Sequence, residues 1–305
     1  MDWQGVWPAL TTAFDVHFDP DYNFVADHCR RVIEAGCTGV VALGSLGEAA
    51  TLSFEEKKRI LQTCRRALDR APLVAGISAL GTREAVALAK VAEAEGCDGL
   101  MILPPYVYPG DWRELKAHVS AVLRATPLPS MLYNNPVAYG ADFLPAHIVE
   151  LAEEHANLQA VKESSTDARR VTAIRALCGD RLAIFVGVDD VVLEGVAMGA
   201  VGWISGLADA MPEEAVALLN AGRQGQWERA WELYRWLLPL LRMDTLPKFV
   251  QLIKLIQEEA GMGSSRVRPP RLSLVGEELD AARRTIRQAL KQRDTVMAAQ
   301  RMARA

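Results

Sequence analysis

The 305-residue chain has no CxxC pair, and its five cysteines (Cys29, Cys37, Cys64, Cys97, Cys178) are scattered. That odd, dispersed set argues against a disulfide frame or a cysteine-bound zinc and fits reduced thiols in a cytosolic protein. The five histidines (His17, His28, His118, His147, His155) show neither HxH nor HExxH spacing, which disfavours a metal-dependent aldolase. No GxGxxG follows the first apolar stretch, so an open dinucleotide-binding sheet lacks its fingerprint. No apolar run approaches the ~20 residues of a membrane span. The opening "MDWQGVWPAL" has neither the basic start nor the long apolar core of a signal peptide. A net charge of −4 without a basic stripe argues against nucleic-acid binding. The expectation is a cytoplasmic protein that engages neither membrane nor nucleic acid.

What the chain does have is a recurring pattern: "GCTGVVAL" at 36–43, "GCDGLMIL" at 96–103 and "GAVGWISG" at 199–206. In each, a glycine suited to a left-handed helix cap precedes an apolar run that reads as a strand buried on both faces. Filling the gaps predicts strands at Val6–Thr12, Val40–Leu43, Leu73–Gly76, Gly99–Leu103, Ser130–Tyr133, Leu158–Lys162, Ala183–Gly187 and Gly202–Ser205. Amphipathic segments such as "SFEEKKRILQTCRRAL" and "TREAVALAKVAEAEG" lie between them, with Thr51 or Ser53 capping the first and Thr82 the second. Eight strands alternating with helices predict a (β/α)8 TIM barrel over residues 1–222. Three further helical stretches, near Gln226–Arg242, Leu246–Ala260 and Glu277–Met302, predict a C-terminal helical extension over 223–305, packed on the barrel or against a second subunit.

Barrel chemistry sits at the C-terminal ends of strands. Those ends read "GSLGEAA", "LPPYVYPG", "YNNPVAYG", "KESS", "GVDD" and "ISGL". Lys162 is the anomaly, an amine at the end of a buried strand; of the eight lysines, the other seven read as lying in polar helices or at helix starts. Desolvation disfavours an ammonium, and a neutral amine attacks carbonyl carbon to form a Schiff base. A snorkelling or paired lysine is the competing reading. Tyr133 ends the neighbouring strand, where a phenol can relay a proton. In "GSLGE", Gly44 and Gly47 let backbone N–H groups approach a ligand, and with the Ser45 hydroxyl they suit a carboxylate; Glu48 reads as a tie within the loop. Asp189 or Asp190 reads as a helix cap, as do Ser164 and Ser165, while Trp203 reads as core.

The order of these motifs resembles the dihydrodipicolinate synthase/N-acetylneuraminate lyase family. "GSLGE" is similar to that family's GTTGE or GSTGE loop, "YNNPVAYG" to its YNxP segment and "VKESS" to its K-[ED]-[SA]-[ST] segment; "GVDD" and "PKFVQLIK" fall where similar stretches lie in relatives. The resemblance implies a barrel with a helical extension, a homo-oligomer that is usually a tetramer, and a small-molecule 2-oxo acid bound covalently through Lys162. Tyr133 would carry protons and Ser45 would take the place of the first hydroxyl of the carboxylate loop. Gly44, Leu46, Gly47 and Ser205 complete the expected substrate contacts, and no metal, pyridoxal phosphate or other cofactor is expected.

Three departures bear on substrate. Leu46 stands where many relatives carry a second hydroxyl. Ala138 stands where dihydrodipicolinate synthases carry an arginine for the aldehyde substrate's carboxylate. Val107 stands where they carry a tyrosine lent by one subunit to another, with Tyr106 or Tyr108 as the candidate to replace it. The expectation is therefore a Schiff-base lyase of the dehydratase or deaminase type, acting on a 4-hydroxy-1-pyrroline-2-carboxylate-like imine. The alternatives are an aldolase releasing pyruvate from a sugar acid, a 4-hydroxy-tetrahydrodipicolinate synthase disfavoured by Ala138 and Val107, and a non-catalytic binding barrel.

Overall fold

The glycines that open the three repeated motifs act as helix stops. Gly36, Gly96 and Gly199 have φ of 100°, 77° and 102°, a left-handed geometry that glycine adopts without a Cβ penalty. They terminate α1 (Tyr22–Glu34), α3 (Thr82–Ala94) and α8 (Val192–Ala197) and turn the chain into β2 (Val40–Ala42), β4 (Gly99–Ile102) and β8 (Gly202–Ser205). The computed structural model describes residues 1–106, 108 and 110–302, with side chains up to 298.

The remaining strands are β1 (Gly5–Pro8), β3 (Leu73–Ile77), β5 (Ser130–Asn134), β6 (Leu158–Glu163) and β7 (Ala183–Val186). All pair in parallel in the order β1-β8-β7-β6-β5-β4-β3-β2. A parallel bridge between Ala9 and Val41, with Leu10 N–H donating to Val41 at 2.9 Å, joins the two ends of the sheet. The result is a (β/α)8 barrel, as the alternation predicts.

β1 is shorter than predicted, ending at Pro8, whereas β6 runs one residue past Lys162. The buried rings of Trp3, Trp7 and Phe185 pack together with centroids 5.6–6.3 Å apart. Gly202 makes room for them, since a Cβ there would lie 2.2 Å from the Phe185 ring.

The outer helices include α2 (Phe54–Leu68), α4 (Trp112–Ala125), α6 (Pro145–Glu154), α7 (Arg169–Cys178) and α9 (Pro212–Arg223), with a short α5 (Pro136–Tyr139) after β5. Ser53 caps α2 in a reciprocal box with Glu56, and Thr51 does not. Thr82 is not a cap: it is the first residue of α3, and its hydroxyl meets His118 Nδ1 at 2.9 Å.

Three C-terminal helices follow: α10 (Trp227–Leu241), α11 (Phe249–Glu259) and α12 (Gly276–Met302). Trp236 Nε1 donates to Ala289 O at 3.0 Å and joins α10 to α12. The segment between α11 and α12 brings Arg268 and Arg271 back to the loop after β2, where Arg268 N–H donates to Glu48 at 3.1 Å. Among the described residues no helix is long and apolar enough to cross a membrane.

Candidate active site

A cavity of about 510 Å³ opens at the C-terminal ends of the strands, a size that suits a small organic ligand. Lys162 enters it from β6. It is only 6% exposed, and its neighbours in register are Tyr133 of β5 and Phe185 of β7. The amine lies over the Tyr133 ring, 4.1 Å from its centroid, so ring face and nitrogen address the same space.

Both asparagines of "YNNP" hold this arrangement. Asn134 donates to Glu163 at 3.0 Å and accepts from Phe143 N–H, fixing the loop beyond β5 to β6. Asn135 donates to the Tyr133 hydroxyl at 3.0 Å, while its own oxygen accepts from Ala138 N–H and caps α5. A phenol that accepts one hydrogen bond keeps its proton available to donate.

Helix α5 carries Tyr139 to the loop after β2. The Tyr139 hydroxyl is hydrogen-bonded to Ser45 Oγ, and its ring meets that of Tyr133 edge-on at 5.8 Å. Burial pushes the Tyr139 phenol well above the usual tyrosine range, and the neighbouring Tyr133 pushes it the same way. Gly44, Ser45 and Leu46 line the cavity. Among the described residues, the N–H groups of Ser45 and Leu46 donate to no protein acceptor, which leaves two donors at the cavity for an anion.

Glu48 ties the loop after β2 not to itself, as its reading within the loop predicts, but to α11 and to the segment before α12. It is fully buried, in a left-handed conformation, and bonded to Lys254 Nζ at 2.9 Å. The reading of the other seven lysines as lying in polar helices or at helix starts does not anticipate burial, yet Lys254 in α11 is 1% exposed and Lys57 in α2 is buried as well. A polar helix context in sequence does not reveal a carboxylate waiting 206 residues away.

Two expected substrate contacts face elsewhere. Gly47 is not among the cavity-lining residues, and its carbonyl is taken by the Thr12 hydroxyl at 2.7 Å. Ser205 is fully buried outside the lining; its hydroxyl meets Asp189 at 3.4 Å and accepts from Ala208 N–H at 3.0 Å. Asp189 is not a helix cap. Its carboxylate accepts from Trp203 Nε1 and from the N–H groups of Gly206 and Leu207, holding the turn after β8. Burial pushes it up to about 6 against those hydrogen bonds. Asp190 does not cap α8 either; its carboxylate lies 3.9 Å from the Arg242 guanidinium. Trp203 belongs to the core, as read.

Ser164 and Ser165 do not cap α7, whose N-terminal position is Ala168. The Ser164 hydroxyl is buried beside Lys162, lines the cavity and has no protein partner among the described residues. A hydroxyl two residues beyond the lysine is its signal in the sequence, since alternate residues of an extended chain point to the same side.

Asp244, from the turn after α10, and Arg271, from the segment before α12, also line the cavity and escape any local sequence pattern. Burial pushes the Asp244 carboxyl well above the carboxylate range, Asp189 adds to this, and Lys162 opposes it. Tyr106 lines the cavity against Tyr139, whereas Tyr108 is exposed; Val107 lies outside the described residues.

The chain is similar to known proteins over most of its length. The sequence profile of the Dihydrodipicolinate synthetase family matches residues 2–289. The 4-hydroxy-tetrahydrodipicolinate synthase of Haloarcula marismortui is 32% identical over 284 residues, covering 93% of this chain and 92% of the relative. That of Methanopyrus kandleri is 35% identical over 269 residues, covering 88% and 90%. Among solved structures, YagE, a prophage protein of the family from E. coli K12 in complex with pyruvate, superposes with a TM-score of 0.89 at 27% identity, covering 95% of this chain and 99% of that one. The 4-hydroxy-tetrahydrodipicolinate synthase of Methylacidiphilum fumariolicum SolV gives 0.90 at 26% identity, covering 97% and 99%.

Proposed function

The chain belongs to the dihydrodipicolinate synthetase family of class I Schiff-base lyases, and from that premise we propose how its own residues act. Lys162 Nζ attacks C2 of a 2-oxo acid, water leaves, and the iminium draws the electron pair of a C3–H bond into an enamine as the proton departs. Tyr133 handles that proton, and the free N–H groups of Ser45 and Leu46 hold the substrate carboxylate. The observation that carries this reading is the buried Lys162 amine over the Tyr133 ring inside the cavity.

For the reaction itself we favour elimination on a 4-hydroxylated substrate, of the 4-hydroxy-1-pyrroline-2-carboxylate type. On such a cyclic imine Lys162 displaces the ring nitrogen from C2, which leaves an amine on C5. The enamine expels the C4 hydroxyl as water, and the double bond shifts to make a C5 imine. One water hydrolyses that imine to an aldehyde and ammonia, while a second frees the 2-oxo acid from Lys162. Two features support it. Asp244 brings to the cavity a carboxyl whose raised pKa favours the protonated form that a leaving hydroxyl needs. Ala138 lines the cavity with a methyl group where an aldehyde substrate's carboxylate would need a cation.

A second reading, condensation of pyruvate with aspartate semialdehyde, rests on the activity named for the relatives. Cleavage releasing pyruvate would pass through the same iminium.

Borohydride trapping tests the common step. A mass gain on Lys162 with pyruvate is expected, lost in Lys162→Ala and retained in Tyr133→Phe, whose turnover falls by about 10²-fold or more. Full activity of Lys162→Ala would end the proposal. A panel of hydroxypyrroline, sugar-derived 2-oxo acids and pyruvate with aspartate semialdehyde, scored for ammonia, pyruvate and condensation product, separates the three reactions.

A further inference from the structure

Ser45 is the one hydroxyl of the loop after β2 that lines the cavity, and its partner is Tyr139 of the same chain. Three observations converge on that pair. Tyr139 sits at the end of α5, a four-residue helix between Asn135 at its start and Gly140 at its end, with Gly140 at φ 67°. Asn135 also holds the Tyr133 hydroxyl, so one side chain sets both phenols. The Tyr139 ring is packed edge-on against Tyr133 and tilted against Tyr106, which leaves its hydroxyl little freedom to turn from Ser45.

We infer that Tyr139 is a positioning residue for proton transfer, donating its hydrogen bond to Ser45 Oγ so that the Ser45 O–H is directed into the cavity. Direction follows from chemistry. A phenol is a stronger hydrogen-bond donor and a weaker acceptor than an aliphatic hydroxyl, so in the Tyr139–Ser45 contact the phenol O–H donates. Ser45, having accepted, has its single proton left for the substrate or for Tyr133. The proton-handling set Tyr133–Ser45–Tyr139 is then contained in one chain. This inference rests on the Lys162 reading and refines it.

The test uses pyruvate alone, so that it does not depend on the second substrate. As the Lys162 iminium forms and relaxes to the enamine, each methyl hydrogen of pyruvate leaves C3 and is replaced from solvent, which proton NMR in D2O follows as loss of the methyl signal. Tyr139→Phe keeps the ring packing and removes the donor. Its exchange is expected to slow by about ten- to a hundredfold, with the borohydride adduct on Lys162 still formed in full. Ser45→Ala is expected to slow exchange to a similar degree, and the double variant no further than the slower single.

A purely structural role for Tyr139 would instead lower adduct yield and exchange together, and that result would overturn the inference. So would exchange within about twofold of wild type in Tyr139→Phe, or a double variant slowed by the product of the two singles. A wild-type protein that forms no adduct would remove the Lys162 reading, and this inference with it. An intact adduct with unaltered exchange in Tyr139→Phe removes this inference alone.

Discussion

Gly187 packs directly on the side chain of Lys162: a Cβ at residue 187 would lie 2.6 Å from both Cγ and Cε of the lysine and 2.0 Å from Ser164 Oγ. The absent side chain is the space in which the nucleophile stands. Gly187→Ala should therefore displace the amine rather than merely crowd it, because the lysine stem is the softest of the groups in contact. The expected outcome is a fall of about 10²-fold in the rate of borohydride trapping with pyruvate. The thermal midpoint should drop only a few degrees, as for about 1 kcal/mol of strain. A variant that traps at the wild-type rate would show that Lys162 does not depend on this contact.

The Glu48–Lys254 pair fastens the loop after β2 to α11, with both side chains out of solvent. Burial pulls the lysine's pKa down, and the carboxylate opposes that pull. Removing one partner leaves the other charge buried, so Glu48→Gln is expected to cost about 3–5 kcal/mol of unfolding free energy. Adding Lys254→Met to that variant should recover part of the loss. Urea denaturation of the two variants reads both effects, and a Glu48→Gln protein within about 1 kcal/mol of wild type would refute the argument.

The barrel is legible in the sequence because each glycine-stopped helix hands over to a strand whose apolar run is unbroken, a signal that survives without tertiary information. Lys162 is legible for the opposite reason: it violates that run. What escapes is whatever depends on barrel closure. Asp244 and Arg271 reach the cavity from helical and coil segments more than 80 residues beyond Lys162, and Tyr139 meets Ser45 across 94 residues. Asp189 and Ser164 stand where a cap would stand, and local propensity alone favours the cap; only the structure shows the β8 turn waiting for one and the cavity for the other. Gly187 in sequence is an ordinary strand-end glycine.

Glu56 and Arg268 make a bidentate pair, with bonds of 2.7 and 3.0 Å, that anchors the C-terminal segment to α2. The Arg268 hydrogen bond holds the Glu56 carboxyl below its ordinary value of 4.5, more strongly than burial raises it. The unfolded chain then binds the proton more readily than the folded one as pH falls. The stabilisation is complete above that ordinary value and disappears as pH drops through the lower folded value. Glu56→Gln should thus destabilise the protein by about 1–3 kcal/mol at pH 7 and by progressively less in acid. Urea midpoints of variant and wild type, measured from pH 7 downward, should converge. A gap that is constant with pH would mean that the loss lies in the helix cap and not in the ion pair.

Arg271 is the cation that the cavity presents in addition to Lys162. Its guanidinium makes no hydrogen bond among the described residues, and its nearest carboxylate, Glu48 at 3.6 Å, is already bonded to Lys254 and to Arg268 N–H. Such a group is available to the second carboxylate of a dicarboxylic ligand, which the condensation reading requires and the favoured hydroxypyrroline lacks. Charge-assisted bonds of this kind contribute about 1.5–3 kcal/mol, or roughly ten- to a hundredfold in affinity. In Arg271→Ala, the concentration needed to trap Lys162 should rise by about that factor for 2-oxoglutarate and oxaloacetate but stay within about twofold for 2-oxobutyrate. Half-saturating concentrations from borohydride trapping give the comparison directly. An equal rise for both classes would place the effect of Arg271 in the shape of the cavity rather than in recognition of charge.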